Sequence, residues 1–205
     1  GIPLANLAAK LMIGQKLSGI SFNKKDLDYV AVKEAVLPFD RLPGSDTVLT
    51  PEMRSTGEVM GIADNFEAAF FKSQISTGML FPKSGNVFLS IRNEDKTKEM
   101  VAACKILKKI GFKIIATKGT KSFLDKEGVD SQLVKKVFEG RPNIADLLKD
   151  KKINIVMNTT QGKQSIEDSK DIRSLALNNK IPYYTTARGI IAIINSLKAV
   201  SYTHL

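Results

Sequence analysis

Apolar and polar residues alternate along this chain in two rhythms. In "PLANLAAKLMIG" the apolar Leu4, Leu7, Leu11 and Met12 recur at a spacing of three to four, which predicts a helix stopped at Gly14. "YVAVKEAVLPF" is rich in Val and predicts a strand that ends at Pro38. "FDRLPGSDTVLTPEMRSTGE" (39–58) has no periodicity and carries Pro43-Gly44 and Pro51, so it predicts a long loop of the kind that is functional or packed against something. "NFEAAFFKSQIS" predicts a helix capped by Asn65, and "TGMLFPKSG" a linker, which places a domain boundary near Pro82.

After Pro82 the rhythm is regular. "NVFLSI", "FKIIAT", "QLVKKVF", "INIVMN" and "PYYTT" predict strands. "KTKEMVAACKILKKIG", "KSFLDKEG", "NIADLLKDKK", "SIEDSKDIRSLALNNK" and "GIIAIINSLKA" predict helices, the first two closing on Gly111 and Gly128. Strands alternating with helices across short loops indicate an α/β domain: a doubly wound parallel sheet covered on both faces. Ligands of such sheets bind outside the carboxyl ends of the strands.

Those carboxyl ends share a chemistry. The first gives Ser90, followed by Arg92 and Lys96; the second gives "ATKGT", Thr117 to Thr120 with Gly119 between; the middle segment gives Lys136 and then "EGRPN"; the fourth gives "NTTQG" from Asn158; the fifth gives Thr185 and Thr186. A single Thr at a strand end is a turn or helix cap. The recurrence around one rim predicts an anion site, in which hydroxyls, lysines and backbone N–H groups cradle a phosphate. Gly119 would let the backbone approach the anion closely. No general base stands out on that rim. Asp146 falls inside a helical segment, and Asp168, ten residues past Asn158, is better suited to accept hydrogen bonds from ribose hydroxyls than to act as a lone catalyst. The rim reads as built to bind, with no catalytic residue and no metal site.

Composition narrows the choice. Of 205 residues, 43% are hydrophobic and 25% charged, which predicts a packed core. No apolar run approaches the ~18 residues of a membrane-spanning helix, and the first residues lack the basic start and cleavage pattern of a signal peptide. The single cysteine, Cys104, excludes an internal disulfide, and the single histidine, His204, argues against histidine-based chemistry. The net charge of +10 is uneven: residues 1–82 carry 8 Lys/Arg against 9 Asp/Glu, and residues 83–205 carry 23 against 12. An anionic partner therefore belongs to the second part. Nucleic acid is an alternative partner, but aromatic-rich basic strands, zinc-finger spacing and a recognition-helix pattern are all missing.

At this point a family resemblance is legible. "VKEAVLPFDRLPGSDTVLTPEMRSTGEVMGIA" (32–63), with the highly specific "PEMRSTGEVMG", is similar to a signature region of the large subunit of carbamoyl phosphate synthetase. "GRPNIADLL" and "NTTQGKQSIEDSKDIR" resemble the same subunit's C-terminal domain, and the resemblance covers about residues 1–198. It implies that 1–82 is the α+β tail of an ATP-grasp domain, and that 83–205 is a methylglyoxal-synthase-like, Rossmann-type regulatory domain. In the intact subunit it implies ATP-dependent synthesis of carbamoyl phosphate for arginine and pyrimidine biosynthesis. Mg and K serve as cofactors there, a small glutaminase subunit is the partner, and the location is cytoplasmic. The fragment itself, lacking the nucleotide- and metal-holding core, is expected to be non-catalytic.

The resemblance also implies roles. UMP as inhibitor and IMP as activator would take phosphate contacts from Lys96, Thr117, Thr120 and Lys136, further contacts from Asn158 and Thr160, and a ribose contact from Asp168. Lys118 stands where His is common in the family's T-x-G-T motif, which leaves the backbone role intact. Ornithine as activator would be held at the domain boundary by Glu34 in "VKEAV" with Tyr183 and Thr185 in "PYYTT"; a carboxylate suits an amino group. Methylglyoxal synthase itself, a phosphate-eliminating lyase of the same fold, is a further alternative. It requires a catalytic Asp in a Gly-Asp setting and a helper His, whereas the corresponding loop here reads "EGRPNIAD".

Overall fold

The computed structural model describes residues 2–21, 26–36, 57–159 and 163–202. Its first part contains α1 (Leu4–Met12), a short antiparallel pair β1 (Val30–Val36) and β2 (Gly57–Ala63), and α2 (Phe66–Ser76). Asn65 caps α2 as its sequence position predicts, its side chain accepting from the Ala68 N–H at 2.9 Å. The β2 strand corrects one reading: Gly57 and Glu58 belong to a strand rather than to the end of a loop, and the rest of that loop lies outside the described residues. Two glycines in "GEVMGIA" hide the strand pattern. Gly61 is required by packing, because a Cβ there would lie 2.0 Å from the Ala69 carbonyl oxygen and 2.5 Å from the Ser73 nitrogen. The backbone of α2 thus rests directly on β2.

The second part is a five-stranded parallel sheet. It contains β3 (Gly85–Ser90), β4 (Phe112–Ala116), β5 (Gln132–Leu133), β6 (Ile155–Asn158) and β7 (Tyr183–Tyr184). Their spatial order is β5-β4-β3-β6-β7. The connecting helices are α3 (Lys98–Lys109), α4 (Lys118–Lys126), α5 (Ile144–Lys149), α6 (Lys163–Asn178) and α7 (Ala187–Tyr202). Side chains of a strand alternate between faces, so β3, β4, β6 and β7 each feed two cores, while both residues of β5 are exposed. Val87, Leu89, Ile114, Ile155, Met157 and Tyr184 pack with α3 and α7, and Cys104 is buried in that cluster. Phe88, Ile115 and Val156 pack on the other face against Ile144, Leu148, Ile172 and Ala176. Phe71 of α2 joins the first cluster, in contact with Phe81 at a ring distance of 5.4 Å, so the two parts share one core across Pro82. Each fully buried aliphatic or aromatic side chain contributes about 1.5–3 kcal/mol, which fastens α2 to α7.

Two further readings are corrected. α4 begins at Lys118, so "KGT" is its first turn rather than a loop before the helix. The β5 strand is two residues long, and the predicted strand "QLVKKVF" instead turns through a 3₁₀ segment at Val137–Glu139. Both departures shape the rim. Among the described residues no helix is long and apolar enough to cross a membrane.

Candidate functional site

The chain leaves β3 in one direction for β4 and β5, then returns to the other side of β3 for β6 and β7. The strand order reverses at β3, and a crevice opens there beyond the carboxyl ends. A cavity of ≈ 280 Å³ occupies it. Seven residues singled out in the sequence line it together: Ser90, Lys96, Thr117, Gly119, Thr120, Lys136 and Asn158. Phe88, Ile144 and Ile172, all buried, supply its apolar wall. Thr160 lies outside the described residues; Asp168 falls within α6, and its side chain is likewise outside them.

The floor is a network of buried hydroxyls. Ser90 and Asn158 stand opposite each other in register at the ends of β3 and β6. The Thr117 hydroxyl lies 3.2 Å from that of Thr120 and 3.4 Å from that of Ser90. Thr120 accepts from the Ile91 N–H at 2.9 Å, and Thr159 from the Arg92 N–H at 3.0 Å. These bonds fix the turn after β3. Because Thr117 spends its hydroxyl on neighbouring side chains, it makes no side-chain cap to α4. The first N–H groups of α4 are thus left without a side-chain cap, at a helix start whose Thr117, Gly119 and Thr120 line the cavity.

Three cations border the cavity, but they are not equivalent. Arg92 is engaged by Asp95, with Nε 2.7 Å from Oδ2; the guanidinium, and after it the Thr159 hydroxyl, hold the Asp95 carboxyl below its usual range. Lys96 donates to the neutral Asn93 Oδ1 at 2.8 Å, and Lys136 has no ion-pair partner among the described residues. Two ammonium groups without an ion-pair partner among the described residues thus flank a helix start. Gly119 lies beside one of them: a Cβ there would sit 3.7 Å from Lys96 Nζ, in ordinary van der Waals contact.

"GRPN" explains how Lys136 is held. Asn143 caps α5, accepting from the Ala145 N–H at 2.9 Å, while Asp146 accepts from the Asn143 N–H at 2.9 Å. Arg141 forks onto the Asp146 carboxylate, and that pairing, followed by the Asn143 N–H, pulls its pKa from 3.8 to about 2. The Asn143 side chain also donates to the Val137 carbonyl at 3.3 Å, and the Ile144 N–H to the Lys135 carbonyl at 3.1 Å. The cap therefore pins the segment that carries Lys136.

The boundary residues separate. Glu34, on the inner face of β1, accepts from Ser73 at 3.2 Å and from the Gln74 amide, both on α2. Burial raises its pKa, and the two hydrogen bonds oppose that shift. The tyrosine that reaches this group is Tyr184, which donates to Gln74 Oε1 at 2.7 Å. The phenol of Tyr183 is turned the other way, accepting from Asn158 Nδ2 at 3.3 Å beneath the Arg173 guanidinium. Thr185 follows β7 and is exposed. So the structure joins Glu34 to Gln74 and Tyr184, and brings Tyr183 to the rim. Sequence reasoning passed over Gln74, Tyr184 and Thr159. The alternation of faces along β7 is the signal that distinguishes the two tyrosines. Among the described residues, no group of three or more His, Cys, Asp or Glu is placed to hold a metal ion.

The family model of the MGS-like domain matches residues 99–185. The chain is 44% identical over 211 residues to the carbamoyl phosphate synthase large chain of Rhizobium meliloti, covering 100% of this chain and 18% of the relative. It is 46% identical over 201 residues to that of Methanobrevibacter smithii, covering 98% and 19%. It is 43% identical over 201 residues to that of Archaeoglobus fulgidus, again covering 98% and 19%. The chain thus spans less than a fifth of the length of the relatives it matches.

Proposed function

Because the chain belongs to the carbamoyl phosphate synthase large-chain family and carries its MGS-like domain, we propose that its β3–β7 sheet is a regulatory module that binds a nucleoside monophosphate at the rim. UMP and IMP are the effectors, and ornithine binds beside Glu34. The observation that carries this reading is the convergence of Lys96, Lys136 and the α4 N-terminus on one cavity. A phosphate monoester carries close to two negative charges, and two lysines free of acidic partners among the described residues match it. Each charge-assisted hydrogen bond contributes about 1.5–3 kcal/mol. The apolar wall of Phe88, Ile144 and Ile172 suits a base or ribose face, and the Asn158 amide offers a donor and an acceptor.

The first part of the chain belongs, on this reading, to the end of an ATP-grasp domain. α1 buries none of its residues, and Met12 is 88% exposed, which supports docking onto other parts of a longer large chain. The intact subunit would be an ATP-dependent ligase, working in the cytoplasm with Mg, K and a small glutaminase subunit, in arginine and pyrimidine synthesis. The segment alone would bind effectors without making carbamoyl phosphate.

The competing use of a basic surface is nucleic acid, and salt separates the two. A protein that neutralises many backbone phosphates loses roughly 10³–10⁵-fold in affinity between 50 and 200 mM salt. UMP, held at one phosphate, should lose far less over that range in calorimetry, and RNA should not displace it. Tight RNA binding with a steep salt slope, unaffected by UMP, would overturn the effector reading.

A further inference from the structure

The β7 strand is two residues long, yet its two side chains serve different sites. Tyr184, 9% exposed, lies on the core face shared with α2 and α7. Its hydroxyl donates to Gln74 Oε1 at 2.7 Å. Gln74, 3% exposed, turns its amide nitrogen to Glu34. The orientation of that amide is fixed from both ends, because its oxygen must accept from the phenol and its nitrogen must donate to the carboxylate. Tyr183 lies on the opposite face, and its hydroxyl holds Asn158 on the cavity wall.

These contacts form a continuous physical connection. A buried amide left without a partner is costly, so Gln74 follows Glu34 and Tyr184 follows Gln74. Tyr183 and Tyr184 share a peptide unit in a strand paired to β6 through Val156 and Met157 only. A tilt of β7 that keeps Tyr184 on Gln74 moves the Tyr183 hydroxyl against Asn158. The hydrogen bonds thus run without a break from Glu34 through Gln74 to Tyr184, and from Tyr183 to Asn158 at the rim.

We propose that β7 is the coupling element between the two candidate sites, with Gln74 and Tyr184 reading Glu34 and Tyr183 setting the position of Asn158. This rests on the reading of the rim as a UMP site and of Glu34 as an ornithine contact. Energetic coupling requires an element whose position both sites bias, and β7 is bonded to both.

The test uses the full chain and two readouts. In calorimetry, saturating ornithine should change the Kd for UMP by about 5–150-fold, the usual range of coupling between sites. Tyr184→Phe, which keeps the ring and removes the hydroxyl, should bring that factor to within about twofold of one while leaving the affinity for UMP alone within about threefold of the unaltered chain. Tyr183→Phe, at a half-buried position, should also bring that factor to within about twofold of one, whatever it does to the affinity for UMP alone, because Tyr183 holds Asn158 at the rim, and it serves if Tyr184→Phe melts early. An unchanged coupling factor in both variants overturns the proposal. So does a large loss of UMP affinity in Tyr184→Phe without ornithine, which would make Tyr184 a support of the rim. If the unaltered chain binds neither ligand, the effector reading itself fails, and the connection is judged without ligands. Glu34→Gln should then shift the Asn158 side-chain amide resonance, and should no longer do so in a Tyr184→Phe background. A shift that persists there, or never occurs, overturns it.

Discussion

Lys136 shows how a single residue acquires a role. It is one of 23 Lys/Arg between residues 83 and 205, and nothing in its immediate sequence sets it apart from Lys135. What distinguishes it is a place on the cavity wall, without an acidic partner among the described residues, in a segment held by the cap that Asn143 and Asp146 build. Lys136→Ala should weaken UMP binding by roughly 10–150-fold in calorimetry, the loss of one charged hydrogen bond; an affinity within twofold of the original would remove it from the site. Asp146 has a second consequence. Its carboxyl is held at about 2, below the ordinary 3.8, by Arg141 first and then by the Asn143 N–H. A depressed carboxylate pKa stabilises the fold above the unfolded value, and that contribution disappears as pH falls through the folded one. Between pH about 4 and about 2 the chain should lose stability more steeply than Asp146→Asn does, measured by denaturant midpoints at stepped pH. Parallel profiles would mean that the Arg141 pairing is no tighter in the fold than in the unfolded chain. Much of this site is legible from residue types, since seven of the positions chosen at strand ends line one cavity. Which cations are neutralised is not legible, because Arg92 meets Asp95 only once the turn after β3 is folded.

At the scale of elements, a helix with a cap is readable even without apolar periodicity, and α2 with Asn65 is the plainest case. The elements that escaped were shaped by neighbours rather than by their own pattern. The β2 strand carries two glycines and reads as a loop, yet pairing with β1 and contact with α2 make it a strand. α4 starts at Lys118, although its first apolar residue in the sequence is Phe123, and Thr120 in its first turn is held by the Ile91 N–H and the Thr117 hydroxyl. The β5 strand stops after two residues because the segment beyond it is tied to α5. Gly61 tests the packing argument. Gly61→Ala would force β2 and α2 apart, since the obstructing atoms are backbone. Overpacking of this kind costs about 1–3 kcal/mol, so the melting midpoint should fall by roughly 2–12 °C. An unchanged midpoint would show that α2 is not seated on β2 as described.

For the whole molecule, charge and topology act together. The excess of positive charge after Pro82 raises the local concentration of anions, and the reversal of strand order at β3 gives them one crevice to enter. The shared core through Phe71 and α7 means that the first part is fastened to the sheet it would influence. Everything proposed about regulation depends on that crevice recognising a phosphate. The most direct measurement is therefore a pair of calorimetric titrations, UMP against uridine, on the unaltered chain. With two lysines that have no acidic partner among the described residues, and a helix start beside them, uridine should bind at least about 100-fold more weakly than UMP. Equal affinity for the two would contradict the phosphate cradle and the regulatory reading built on it.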